Sequence, residues 1–191
     1  MMLLIIRYAV AAMWLVVIGY WLISARSAKP NATRQGYYAL PLRVLMVVLI
    51  ILALRLPQVR VWLRQAHASL AHHGFIALLG AVICALGCAL ALAARAQLGR
   101  NWGMPMSQKV GAELVTAGPY AYVRHPIYGG LILAMLGSAL AVDLFWALPL
   151  VLFTPYFVVS AVREERLMLS RFPGEYGEYR KRTKMLIPFV I

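Results

Sequence analysis

Apolar residues fall along this chain in five long runs, at 3–24, 39–56, 74–94, 127–142 and 144–162, broken by short polar or basic stretches. A helix needs about 20 apolar residues to cross a bilayer, and the first and third runs meet that length. The second carries Arg43 near one end, where a long side chain can snorkel to the interface. The fourth and fifth are divided only by Asp143, which predicts a tight helical hairpin. At about 1.5 Å of rise per residue the fourth run is short for a full crossing. Pro149 and Pro155 are expected to kink the fifth. The pattern predicts an all-α, polytopic integral membrane protein with about five transmembrane helices, the last two forming a hairpin. No stretch is polar and long enough for a separate soluble unit, so residues 1–191 are read as one domain.

Small residues mark the faces that helices use to approach one another in lipid. Gly80, Cys84, Gly87, Cys88 and Ala91 form one such stripe on the third run, and Gly130, Ala134, Gly137 and Ala141 form another on the fourth. The cysteines fit this packing role, because no further metal ligand lies in sequence reach of the pair. Residues 57–73 interleave Val59, Val61, Trp62, Leu63 and Leu70 with basic side chains, which predicts a helix lying on the membrane surface. His67, His72 and His73 belong to that solvated segment and have no carboxylate near them, so no metal site is expected. The first run is too long for the apolar core of a signal peptide, about 7–15 residues, and is read as a retained span.

Composition agrees with the pattern. The 191 residues are 63% hydrophobic with a mean hydropathy of +0.76. Soluble domains are about 45–50% apolar, so the excess must face lipid. The net charge of +13 would suggest nucleic acid on a soluble protein. Here the basic residues flank apolar runs and form no basic-aromatic face, so they report topology. With five crossings, Arg26, Lys29, Arg34, Arg95, Arg100, Lys109, Arg124 and the basic tail share one side. Arg7, Arg55, Arg60 and Arg64 lie on the other. The positive-inside rule then puts the N-terminus outside and the loop at 95–125 and the C-terminal tail in the cytoplasm, with the plasma (inner) membrane the expected location.

Two segments carry chemistry. The stretch LVTAGPYAYVRHPIYGG at 114–130 is polar and aromatic where its neighbours are apolar. Gly118-Pro119 punctuates a turn. Pro126 disfavours helix at His125 and suits the first helical turn, so His125 should project from a loop just before a helix N-terminus. Free backbone N–H groups at that N-terminus can meet a carboxylate. Tyr120, Tyr122 and Tyr128 offer aromatic faces that attract a cation such as a sulfonium, and Trp102 can cap the same space. The second segment is the adjacent pair Glu164 and Glu165 at the end of the last apolar run. A carboxylate there can bond a ribose or ammonium group or neutralise a cationic ligand. GEYGEYRKR at 174–182 reads as a surface helix near anionic lipid. No G-x-G-x-x-G, Walker A, G-x-S-x-G or H-E-x-x-H motif is present, so a nucleotide-like cofactor would need a site built from the loop and the tail.

The spacing LVT-x-GPY-x-x-x-RHP-x-Y-x-G, followed by the Glu164-Glu165 pair, resembles the isoprenylcysteine carboxyl methyltransferase family and its phospholipid methyltransferase relatives over roughly residues 95–190. The resemblance implies an integral membrane methyltransferase that uses S-adenosyl-L-methionine and acts on a lipophilic, isoprenoid-like small molecule, with carboxyl methylation as the expected chemistry. It implies cofactor contacts at Ala112, Glu113, Leu114, Val115, Tyr120, His125, Pro126, Ile127, Tyr128 and Glu164. An amine or hydroxyl acceptor would need a base, for which His125 and Glu165 are candidates. Eukaryotic isoprenylcysteine enzymes carry a substrate-binding Arg four residues before the first Glu of the pair. This chain has Ser160 there, which leaves Arg163 or Arg124 as candidate partners for a substrate carboxylate. Two other readings are an NADPH-dependent enzyme like the membrane sterol reductases and a non-catalytic membrane lipid-binding protein.

Overall fold

The computed structural model describes residues 1–29, 40–71, 74–103, 111 and 113–186. Among them the chain is all-α. Seven helices run in order, α1 (Met2–Ala25), α2 (Leu40–Arg55), α3 (Pro57–Ala71), α4 (Gly74–Leu98), α5 (Pro126–Ala141), α6 (Ala147–Arg171) and α7 (Glu175–Arg182). Single 3-10 turns at Gly99–Asn101, Gly118–Ala121 and Leu144–Trp146 punctuate the connections.

Three helices, α1, α4 and the continuous Leu144–Arg171 segment that contains α6, are long and apolar enough to cross a membrane. The helix pair Pro41–Arg55 and Pro57–Leu63 would make a fourth span, but it is bent by 82° at Leu56. Pro57 explains the break: its ring excludes the helical conformation from the preceding residue. The strongly amphipathic 57–71 segment expected on the membrane surface is thus a helix turned across the end of α2. α5 is apolar but only 16 residues long, about 24 Å by helical rise. Five apolar runs therefore give three full-length spans, one bent pair and one short helix.

The tightest packing is between α4 and α5, and the two small-residue stripes are its two faces. A side-chain carbon added at Gly87 would fall 2.6 Å from the Gly130 carbonyl oxygen, and one at Gly130 would fall 2.7 Å from the Ala91 nitrogen. At Gly80 the nearest atoms are the Ala141 nitrogen at 2.5 Å and the Gly137 oxygen at 2.8 Å. Backbone meets backbone, as small residues permit in lipid. Cys84 and Cys88 are buried and unpaired in this seam, as packing residues should be. α1 is pinned on it by Trp14, whose Nε1 donates to Ser138 Oγ at 3.0 Å.

α5 and α6 form the predicted hairpin. Asp143 accepts from the Phe145 amide at 3.0 Å and shapes the turn. Tyr128 and Met135 of α5 share an apolar cluster with Tyr156, Phe157 and Ala161 of α6 and with Met46 of α2. Of the two prolines expected to kink α6, Pro149 falls in its first turn, where the missing N–H has no helical partner to lose. Pro155 alone is interior. α6 also runs beyond its apolar stretch to Arg171, so Glu164 and Glu165 sit within a helix and are not at its end.

One end of the bundle gathers the unusual residues. The Lys29 amide after α1 donates to the Arg100 oxygen after α4 at 2.9 Å. The start of α5 and the end of α6 meet there too, because the tail returns alongside residues 123–125. The Arg124 amide donates to the Lys184 oxygen at 2.8 Å and the His125 amide to the Met185 oxygen at 3.0 Å. The segments expected to share one side of the membrane therefore share one end of the fold.

Candidate functional site

The site begins with the turn at 117–125. Gly118 takes φ +62°, a conformation L side chains rarely adopt, and Pro119 follows in the 3-10 turn that places Tyr120 inward. The Tyr179 hydroxyl of α7 donates to the Tyr120 oxygen at 2.7 Å, so the C-terminal helix fastens this loop. Burial, reinforced by the charge of Glu164, pushes the Tyr120 phenol well above its usual pKa. His125 is the residue before α5, as its Pro126 neighbour predicts.

α6 brings the two carboxylates to this turn, and they face different partners. The Tyr128 hydroxyl donates to Glu164 Oε1 at 2.6 Å. His125 lies between the pair, with Nδ1 3.5 Å from Glu164 and Nε2 3.6 Å from Glu165. Glu165 is buried and accepts from Arg124 Nε at 2.7 Å, with Arg180 Nε 3.3 Å from its other oxygen. Arg124 also donates to the Thr183 oxygen. Burial works against a charged His125, but the nearby carboxylates of Glu164 and Glu165 outweigh it, and its pKa lies above the ordinary value. The His125 ring stacks on Tyr128, Tyr128 stacks on Phe157, and the centroids are 5.5 and 5.0 Å apart.

A cavity of about 370 Å³ opens beside these groups, within the range of pockets that hold small ligands, about 300–1,000 Å³. Its lining joins polar and aromatic groups, among them Asn101, Trp102, Tyr120, His125 and Glu164, to the apolar side chains of Ile127, Leu131, Phe153 and Phe157. The Asn101 Oδ1 and His125 Nε2 atoms at this site are buried without a hydrogen-bond partner among the described residues.

Most of the expected site residues meet here, though not all. Leu114, Val115, Tyr120, Arg124, His125, Ile127, Tyr128 and Glu164 line the cavity. Glu113 reaches its rim, where Lys29 Nζ pairs with it at 3.1 Å. Pro126 is buried and shapes the start of α5 without reaching the cavity. Glu165 stands behind His125, off the lining. Arg163 is exposed on the outer side of α6, away from the cavity, because adjacent helical positions point about 100° apart. Ala112 lies outside the described residues. Ser160 is fully buried, and its Oγ has no hydrogen-bond partner among the described residues.

Two further arginines take positions that their sequence context did not predict. Arg43 of α2, expected to snorkel outward, turns inward and lines the cavity, with Nε donating to the Tyr156 hydroxyl at 2.6 Å. Arg95, expected as a topological charge, is 1% exposed. It bonds the Ser24 oxygen at 2.8 Å and the Gly99 oxygen at 2.9 Å, and its guanidinium lies 4.4 Å from the Trp102 ring centroid. It thus holds the Trp102 wall of the cavity in place. An Arg one turn from the end of an apolar helix is indistinguishable in sequence from a snorkelling one.

The comparisons with known proteins fall on this part of the chain. The family profile described as phospholipid methyltransferase matches residues 75–175. Protein-S-isoprenylcysteine O-methyltransferase of Schizosaccharomyces pombe is 32% identical over 109 residues, which is 55% of this chain and 46% of that protein. Methanethiol S-methyltransferase 1 of Bradyrhizobium diazoefficiens is 39% identical over 79 residues, 37% of this chain and 24% of that protein. The cobalt-zinc-cadmium resistance protein CzcN of Cupriavidus metallidurans is 36% identical over 99 residues, 49% of this chain and 44% of that protein. The chain spans less than half the length of each of these relatives. The matched region holds nearly all of α4, all of α5 and α6 and the two carboxylates, which supply most of the cavity wall; Trp21, Arg43, Tyr176 and Tyr179 complete it from outside the match. The chain therefore belongs to the phospholipid methyltransferase family of integral membrane methyltransferases, alongside the isoprenylcysteine enzymes it resembles.

Proposed function

We propose that this chain is a membrane methyltransferase that uses S-adenosyl-L-methionine to methylate a lipophilic small molecule, with carboxyl methylation of an isoprenoid-like acid as the chemistry it fits best. The observation that carries this reading is the convergence of His125, Tyr128 and Glu164 on one cavity lined by both polar and apolar side chains. The residues present suit the methyl donor. Glu164 offers a carboxylate to an ammonium or ribose hydroxyl, and Asn101 offers an unpartnered amide oxygen. Tyr120, Tyr128 and Trp102 present aromatic faces to a cationic centre. The donor, when bound, supplies an electrophilic methyl group on a positively charged sulfur.

The chain's own contribution is position and exclusion of water. The apolar wall of Ile127, Leu131, Phe153 and Phe157 receives a hydrocarbon tail and keeps the polar groups dry, and a dry, oriented site is where most of such a barrier is removed. A carboxylate acceptor needs no proton removed from it. His125, flanked by two carboxylates, is then an orienting group and not a base. With Ser160 buried off the cavity and Arg163 outside it, Arg43, Arg124 and Arg171 are the guanidinium groups on the lining that could meet an acceptor oxygen. The basic end of the fold is assigned to the cytoplasm on the charge distribution alone.

Direct calorimetry with S-adenosylhomocysteine tests the donor site. Glu164→Gln should weaken binding by about 1–3 kcal/mol, the scale of a lost hydrogen bond to a charged group, while the protein remains monodisperse. Unchanged affinity in that variant, or tight binding of NADPH in place of S-adenosylhomocysteine, would overturn the assignment.

A further inference from the structure

A second concavity of about 440 Å³ lies on the far side of Glu165 from the candidate site, and no part of the proposed chemistry uses it. Arg124, Arg166, Arg180 and Lys184 contribute four cations to its lining, and Glu165 contributes one carboxylate. That carboxylate is already shared between Arg124 and Arg180, at 2.7 and 3.3 Å. Arg124 and Glu165 are rigid parts of the wall, with side chains only 8% and 7% exposed. The buried Arg124–Glu165 pair neutralises itself, so the excess positive charge sits on Arg166, Arg180 and Lys184, which are exposed around that rigid floor.

The apolar rim of the bowl gives the direction from which a ligand arrives. Val162 lines it, and Val162 continues a stripe on α6. Val151, Pro155, Val159, Val162 and Arg166 recur at helical spacing along one face. All are exposed, with Val151 at 68%, Val159 at 49% and Val162 at 39%. This stripe lies on a helix apolar and long enough to cross the bilayer. A hydrocarbon chain lying along it would place a head group at Arg166, over the mouth of the bowl.

We propose that this bowl is a binding site for the phosphate of an anionic membrane phospholipid, whose acyl chain lies on the Val151–Val162 face of α6. Phosphate oxygens match several arginine donors at once. A net negative head group complements the excess cations, whereas the ammonium of a zwitterionic lipid meets them with the wrong sign. Because Arg124 lines both the bowl and the catalytic cavity, the lipid seals the outer side of the wall that holds Glu165. The proposal does not depend on the methyltransferase reading, since it rests on a different surface.

Native mass spectrometry of the full chain released from mixed-lipid nanodiscs tests it. Phosphatidylglycerol and phosphatidylcholine are the probes, and inorganic phosphate is the soluble competitor. Wild type should retain one phosphatidylglycerol in preference to phosphatidylcholine, and excess inorganic phosphate should not remove it. Arg166→Gln with Lys184→Gln should cut retention roughly 30-fold, from about 1 kcal/mol for each basic side chain at an anionic surface. If the double variant fails to fold, Arg166→Gln alone carries the comparison and should show about a fivefold loss. Equal retention of both lipids, or wild-type retention in the variants, would overturn the site. Complete displacement by inorganic phosphate would overturn the lipid and leave a soluble anion as its occupant.

Discussion

The α4–α5 seam and the ionic cage at the end of α5 and α6 are both closely packed, and they are held by opposite means. In the seam, Gly80, Gly87, Gly130 and Gly137 bring two backbones so near that no side-chain carbon fits between them. The seam has no charge and is governed by volume. In the cage, Arg124, His125, Glu164, Glu165 and Arg180 surround one another, and the geometry is governed by charge. The seam serves the cage: it fixes α5, and α5 begins at His125. Close packing at small residues and polar pairing both matter in a bilayer, since apolar contact between helices competes with equally apolar lipid.

The largest expected effect comes from breaking the cage. Arg124→Ala leaves Glu165 buried with a half-exposed Arg180 as its main remaining cation, and removal of one partner of a buried pair costs about 3–5 kcal/mol. The unfolding midpoint in detergent should fall accordingly, and the 183–185 strip should lose amide protection, because Arg124 also holds the Thr183 oxygen. A variant as stable as wild type would show that the cage is not structural.

A smaller loss is expected from the seam. Gly137→Val places side-chain atoms against the Cys84 nitrogen and within 2.6 Å of the Gly80 oxygen. Both are backbone, so α4 and α5 must separate, at about 1–3 kcal/mol. The sharper consequence is at a distance: S-adenosylhomocysteine affinity should fall together with stability, although Gly137 touches no part of the cavity. Lost stability with unchanged affinity would separate the two regions.

The smallest effect is a pH dependence confined to the cage. His125 has a folded-state pKa above its ordinary value of about 6.5. Its stabilisation is therefore fully present below pH of about 6.5 and is lost as the pH rises through the raised folded-state pKa. Wild type should lose thermal stability over that alkaline window, and His125→Gln should lose less. Gly137→Val should keep the wild-type slope, because it removes none of the titrating groups of the cage. Parallel slopes in wild type and His125→Gln would assign the pH dependence elsewhere.

Much of this molecule was legible in one dimension because lipid imposes strict rules. Apolar length predicted the helices, small residues predicted both faces of the seam, and Pro126 predicted where α5 starts and that His125 precedes it. The 114–130 segment and the Glu164-Glu165 pair, which the fold brings together, stood out because polar residues are costly in a bilayer. These are local properties, set by one residue's propensity or one helix's composition.

Tertiary structure alone decided the rest. Sequence treated Arg43 and Arg95 as surface charges, and the fold turned both inward, because a guanidinium is satisfied by whatever acceptors neighbouring helices present. It treated Glu164 and Glu165 as a pair, and the helix pointed one at the cavity with Tyr128 and the other at Arg124 behind it. It led to the expectation that the loop and the tail share a site, but not that residues 184–185 would run beside 124–125 and close the cage from outside. Spacing within a helix is written in the chain, but which side chains from distant segments neutralise a buried charge depends on where those segments meet.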